Sequence, residues 1–136
     1  MSIFTYHLLK TSCFSAFKGM FFNPILKNTK GLIHAEYMTG MTLGAPVFST
    51  KRILIRQVAV FAQWENEQAI ESFLSNDKFG KQLAKGWYTK LNFTRQWGKF
   101  EKFKIPDNIE TSSHDLPVVA VTIARMKFLE IPRFIK

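Results

Sequence analysis

Cysteine is nearly absent from this sequence. Cys13 stands alone, so no intrachain disulfide framework is available and a reducing compartment is expected. No apolar run approaches the roughly 20 residues of a membrane-spanning helix. The N-terminus also lacks the basic n-region and small-residue cleavage site of a secretory signal. A soluble, cytoplasmic protein is the expectation. With only three histidines there is no His-x-x-x-His, and one cysteine allows no Cys-x-x-Cys, so no metal site is expected. Glycine-rich phosphate loops are missing, which argues against nucleotide chemistry. Ser113, His114 and Asp115 are adjacent and cannot converge on one reacting atom, which excludes a serine-hydrolase reading. Acidic residues are scarce too: 10 against 19 Lys and Arg, a net charge of +9.

What is plentiful is large aromatic side chain, with 14 Phe and 3 Trp in 136 residues. Such a set either builds one core or lines a pocket for a flat apolar ligand. The charge is unevenly placed. Residues 65–77 hold Glu65, Glu67, Glu71 and Asp77 with no cation, whereas residues 78–104 hold Lys78, Lys81, Lys85, Lys90, Arg95, Lys99, Lys102 and Lys104 against Glu101. Three readings compete for that basic stretch: a solvated face, a surface for anionic lipid, or a nucleic-acid surface. No RNP, KH or zinc-finger motif accompanies it, so nucleic acid is not expected as a partner.

Periodicity orders the chain. Residues 3–9 alternate, with Phe4, Tyr6 and Leu8 opposite Thr5 and His7, as a strand does. From Ser12 the period lengthens, placing Phe14, Phe17, Met20 and Phe21 on one side of a helix. A turn at residues 28–31 leads to a strand over 32–38, with Leu32, His34, Glu36 and Met38 opposite Ile33, Ala35 and Tyr37. Residues 39–50 read as a long apolar hairpin loop, of a length that is often functional. The run 52–62 is apolar on both faces apart from Arg56 and Gln57, as in a fully buried strand. Asn66 is the expected N-cap of a helix with Ile70, Phe73 and Leu74 inward; it breaks near residues 75–77, resumes, and closes at Gly86. Residues 87–97 alternate as another strand.

The order β-α-β-β-α-β predicts an α+β, ferredoxin-like unit over residues 1–105: a four-stranded antiparallel sheet with both helices on one face. A linker over 106–117 and a further strand opening at 118 follow, and 118–136 read as the start of a second, incomplete repeat. Lys10 and Phe17 after the first strand recur at the same offset as Lys127 and Phe134 after the last. The uncovered face of such a sheet needs a partner, either a second repeat or a second copy of the chain.

Three segments carry a family resemblance: Tyr6-His7-Leu8-Leu9-Lys10 in the first strand, Val60-Phe61-Ala62-Gln63-Trp64-Glu65-Asn66-Glu67-Gln68-Ala69 at the strand-to-helix junction, and Leu116-Pro117-Val118-Val119-Ala120-Val121-Thr122 opening the last strand. With Phe73-Leu74 and Trp87-Tyr88 downstream, the chain resembles the spheroidene monooxygenase (acyclic carotenoid ketolase) family. That likeness implies tandem ferredoxin-like repeats of the dimeric α+β barrel type and haem-linked oxygenation of a long apolar, carotenoid-type polyene. A ferredoxin would supply electrons. The likeness covers nearly all of this chain but only the first part of a family member. The family's haem-ligand histidine is expected in the second repeat, so no proximal ligand carries over.

A haem pocket needs polar groups set among apolar ones. His34, two residues from Glu36 on one strand face, is the first candidate for a distal or catalytic group, because the carboxylate could orient its ring. His7 is the second candidate; His114, in the polar linker, is expected to be solvated. Each strand histidine has the alternative of being a satisfied sheet residue. Arg56 and Arg95 lie on strands among apolar neighbours; each faces solvent, pairs with Glu36, or holds an acid such as a haem propionate. Phe61, Trp64, Trp87, Phe93 and Trp97 are the expected wall against polyene or porphyrin, with Trp64 and Trp87 the cofactor-contact candidates; otherwise they are core.

The leading functional expectation is an oxygenase of this type. The rivals are a cofactor-free enzyme of the antibiotic-biosynthesis monooxygenase type and a non-catalytic apolar-ligand or dimerisation domain. A homodimer is expected if the chain is complete. The apolar hairpin loop and the basic stretch together supply the two signals that peripheral attachment to the inner membrane surface requires.

Overall fold

Alternation over the first strand is realised as β1 (Ile3–Lys10), whose two faces diverge into two separate cores. The computed structural model describes residues 2–22, 28–41, 49, 53–93, 102–105, 117 and 120–123. After β1 come α1 (Cys13–Phe22), β2 (Leu32–Met41), β3 (Ile53–Trp64), α2 (Glu67–Asn76), α3 (Lys78–Leu83) and β4 (Trp87–Leu91). The sheet order is β2-β3-β1-β4, and every neighbouring pair is antiparallel. The chain is thus a small α+β protein with a four-stranded antiparallel sheet, compatible with a ferredoxin-like fold.

Helix starts follow the capping chemistry. Ser12 Oγ accepts from Ser15 N at 3.2 Å, and Asn66 Oδ1 accepts from Ala69 N at 2.9 Å. Asp77 serves two helices at once. Its N–H donates to Phe73 O as α2 ends, and its carboxylate accepts from Phe79 N (2.7 Å) and Gly80 N (2.9 Å) as α3 begins. The corner is tight enough to need Gly80, where a Cβ would sit 1.9 Å from Phe73 O. Gly31 takes φ +73 at the turn before β2, and its carbonyl accepts from Glu65 N.

One sheet face carries the helices. Val58, Val60, Ala62 and Trp64 of β3 and Ala35 of β2 pack there against Ala16, Ile70, Phe73 and Leu83. Each of the buried Val, Ile, Leu and Phe side chains contributes roughly 1.5–3 kcal/mol. The opposite face gathers Phe4, Phe61 and Phe103, flanked by Tyr6, Met38, Leu91, Phe93, Ile105 and Ile123. Residues 58–64 of β3 are buried on both sides, because both sheet faces carry a core there.

Several local expectations are corrected. Phe14 is 80% exposed and lies off the inner side of α1, which instead presents Ala16 and Gly19 to the sheet. A Cβ on Gly19 would meet the Tyr37 ring at 2.2 Å, so that position has no room for a larger residue. A register shift between Leu32 and His34 moves Leu32 to the helix side, opposite His34. The fourth strand ends at Leu91; Asn92 and Phe93 leave the sheet, and 94–97 lie outside the described residues. Of the expected last strand, residues 120–123 are described and carry no strand pairing. Most of the hairpin loop, residues 42–48, and the linker, except Pro117, also fall outside the described residues.

Candidate functional site

The sheet face turned away from the helices has the composition of an apolar-ligand site. Phe4 of β1 forms the floor, with Phe93 edge-on at 4.5 Å and Phe61 stacked at 5.9 Å. Phe103 stands over them, 5.0 Å from Phe61 and 6.3 Å from Phe4 between ring centroids. Tyr6 and Trp87 extend the aromatic surface toward the β4 edge, edge-to-face at 6.5 Å. Burial raises the Tyr6 phenol above its ordinary value, so it stays a neutral hydroxyl at the margin.

Polar groups sit at the β2 end of this face. His34 Nε2 meets Glu36 Oε1 at 2.8 Å, and the Phe103 ring packs edge-on to the imidazole at 4.7 Å. The spacing works because residues two apart on a strand share a face. Directly opposite His34 on β3 is Gln63, fully buried. Its amide donates through Nε2 to Lys104 O (2.7 Å) and to Ser2 Oγ (3.0 Å), while Oε1 accepts from Lys104 N (2.9 Å). This side chain holds segment 102–105 against the sheet.

The expected site residues are divided between places. His34, Phe61, Trp87 and Phe93 share the face away from the helices, with Trp87 55% exposed at its rim. His7 and Trp64 are on the other face, under the helices. Trp64 packs on Phe73 and donates its indole N–H to Thr5 Oγ1 at 2.9 Å. His7 Nε2 lies 3.0 Å from the same oxygen, and its ring stacks on Tyr88 at 5.2 Å. His7 is 1% exposed and its Nδ1 has no hydrogen-bond partner. Burial lowers its pKa from 6.5 to about 4, which keeps the ring neutral. Arg56 is exposed beside Lys10 at a cleft of about 710 Å³ that also takes in Thr11, Ser12, Leu54 and Gln57. Arg95, Trp97 and His114 lie outside the described residues.

The described residues do not fit a haem. His34 directs Nε2 to Glu36 and is covered by Phe103, while the free nitrogen of His7 is enclosed on the opposite face. Arg56 is seven residues along β3 from Gln63, about 23 Å at strand rise. That is further than one porphyrin spans between His34 and a propionate partner. Among the described residues no group of three His, Cys, Asp or Glu gathers to hold a metal ion.

Gln63 and Phe103 were not among the residues singled out from sequence. Gln63 had a usable signal, since an amide inside an otherwise apolar central strand must find partners when buried. Phe103 had none, because its segment has no period. Among the described residues no helix is long and apolar enough to cross a membrane. Compared with known proteins, the chain matches no family model, no curated protein and no solved structure.

Proposed function

We propose that this chain binds a long apolar, polyene-type molecule on the sheet face away from the helices and takes part in its oxygenation, as its resemblance to the spheroidene monooxygenase family implies. The observation that carries the reading is the joining of an aromatic floor, Phe4, Phe61 and Phe93, to the His34–Glu36 pair at one end. Phe103 touches both the rings and the imidazole, so an apolar chain that enters this cluster would have one end beside His34. On this reading the unit is half of a barrel of the dimeric α+β type, and a second repeat or a second copy of the chain closes the site. Haem, with a ferredoxin as electron donor, would require ligands from beyond the described residues.

The His34–Glu36 pair supports a second, cofactor-free reading. Imidazole oriented by carboxylate is a general base. Proton removal from a phenolic or quinol substrate on the aromatic face leaves an electron-rich anion that itself reduces O₂. Two assays separate the readings. Titration with hemin that produces a Soret band, followed by conversion of a micellar carotenoid, supports the haem-linked enzyme. Oxygen uptake with a quinol, with no such band and with loss of rate in His34→Ala, supports the cofactor-free one. Apolar-ligand binding with neither activity reduces the chain to a binding domain, and no binding at all refutes the proposal.

A further inference from the structure

We propose that the cleft at the Lys10–Arg56 end of the sheet binds a small molecule through a phosphate monoester, with the phosphate held between these two cations. The site lies apart from the aromatic face and is independent of the apolar-ligand reading.

An irregularity in the central strand makes the cleft. Thr39 pairs with Val58 but its neighbour Gly40 pairs with Leu54, so residues 55–57 of β3 have no partner on β2. Such a bulge bends a strand and re-aims its side chains. Thr39 fixes it: the hydroxyl donates to Leu54 O at 3.0 Å and Gln57 O at 3.3 Å, at the two ends of the excursion. On the other side β1 keeps its hold, with Lys10 paired to Gln57 and Thr11 N donating to Arg56 O at 2.9 Å. Arg56 and Gln57 of the bulge therefore share one cleft with Lys10, Thr11 and Ser12, and Leu54 adds an apolar wall.

Lys10 and Arg56 are both exposed, and among the described residues neither forms an ion pair. No described acid lines the cleft. Two cations so placed match a phosphate monoester, which carries about −1.5 to −2 at neutral pH and three acceptor oxygens. A carboxylate would supply about half that charge. Arg56 offers a planar fork of donors, Lys10 a compact charge, and the Thr11 hydroxyl and Gln57 amide are neutral donors beside them. At about 710 Å³ the cleft has the size of a small-molecule site, so the phosphate brings an organic body with it.

The test titrates the whole chain with phenyl phosphate and follows the Thr11 and Gln57 backbone amides by NMR. Saturable shifts at both are expected, and benzoate should bind at least about tenfold more weakly. Arg56→Gln should weaken phenyl phosphate binding by at least about tenfold. Thr39→Val, which keeps both cations but releases the bulge, should weaken it too, and Thr39→Ser should bind as wild type does. Lys85→Gln removes a charge elsewhere and should leave the affinity unchanged. Vesicles of phosphatidylcholine with phosphatidic acid distinguish the sources of the ester. Co-sedimentation that Arg56→Gln abolishes identifies a lipid headgroup, and phenyl phosphate shifts without co-sedimentation identify a soluble ester. The proposal is overturned by absence of saturable shifts, by benzoate binding as tightly as phenyl phosphate, or by equal losses in Arg56→Gln and Lys85→Gln. Wild-type affinity in Thr39→Val overturns it as well, since the bulge would then not build the site.

Discussion

His7 is the residue whose surroundings most directly set a measurable property of the molecule. It is held neutral under the helices, with Thr5 on one nitrogen and nothing on the other. Its folded pKa of about 4 lies below the unfolded 6.5, so the unfolded chain binds the proton first as pH falls. Stability is therefore unaffected above pH 6.5, declines between 6.5 and about 4, and levels off below. The full loss is roughly 3 kcal/mol. Urea denaturation across that range should show the decline in wild type and a much smaller one in His7→Phe, which keeps the stack on Tyr88. An equal decline in both proteins would place the effect elsewhere. Thr5 is the companion test. Thr5→Val leaves the buried Trp64 indole N–H without its acceptor and should lower stability by about 1–3 kcal/mol at pH 7. Strand alternation showed from sequence that His7 and Phe4 point opposite ways. It did not show which side the helices cover, because both faces of β1 carry large apolar residues, and so His7 and His34 looked equally available.

At the scale of elements, the helices and strands were legible where a period or a cap marked them. Asn66, Ile70 and Phe73 are where their pattern places them, and so is the break after Asn76. Features depending on contact with another element were not legible. The register shift at Leu32 answers to pairing with β3, and the exposure of Phe14 goes with an inner side of α1 that Ala16 and Gly19 make. Asp77 joins α2 to α3 through one hydrogen bond from its own N–H and two accepted by its carboxylate. Asp77→Ala is expected to reduce stability by about 1–2 kcal/mol in chemical denaturation. Phe73→Ala, removing the ring on which Trp64 packs, should cost about 3–5 kcal/mol and red-shift the tryptophan emission. If the alanine at 77 proves the costlier of the two, the corner rather than the core governs the helical layer.

For the molecule as a whole, the order of elements was readable and the use of its second face was not. That face is covered in part by Phe103, Ile105 and Ile123, from segments that carry no periodic signal. Trp87 and Tyr88 remain exposed at the β4 edge, where a further sheet could continue the surface. On the barrel reading, sedimentation velocity should find a species of twice the chain mass at micromolar concentration, and Trp87→Ser should weaken it. A monomer at all concentrations would leave a second repeat as the way to close the site. Exposed Lys78, Lys81, Lys85 and Lys90 lie in the basic stretch, with Lys90 paired to Glu67. Co-sedimentation with vesicles containing phosphatidylserine tests the membrane proposal, and absence of binding at low salt removes it.

The central claim is that the sheet face away from the helices is the ligand site. Methyl-labelled protein titrated with all-trans-retinol tests it most directly, because the methyls of the two faces are distinct sets. The account predicts shifts at Met38, Leu91, Ile105 and Ile123, with Val58, Val60, Ile70 and Leu83 little changed. Shifts centred on the helix-side set, or on Leu54 at the Lys10–Arg56 cleft, would contradict it.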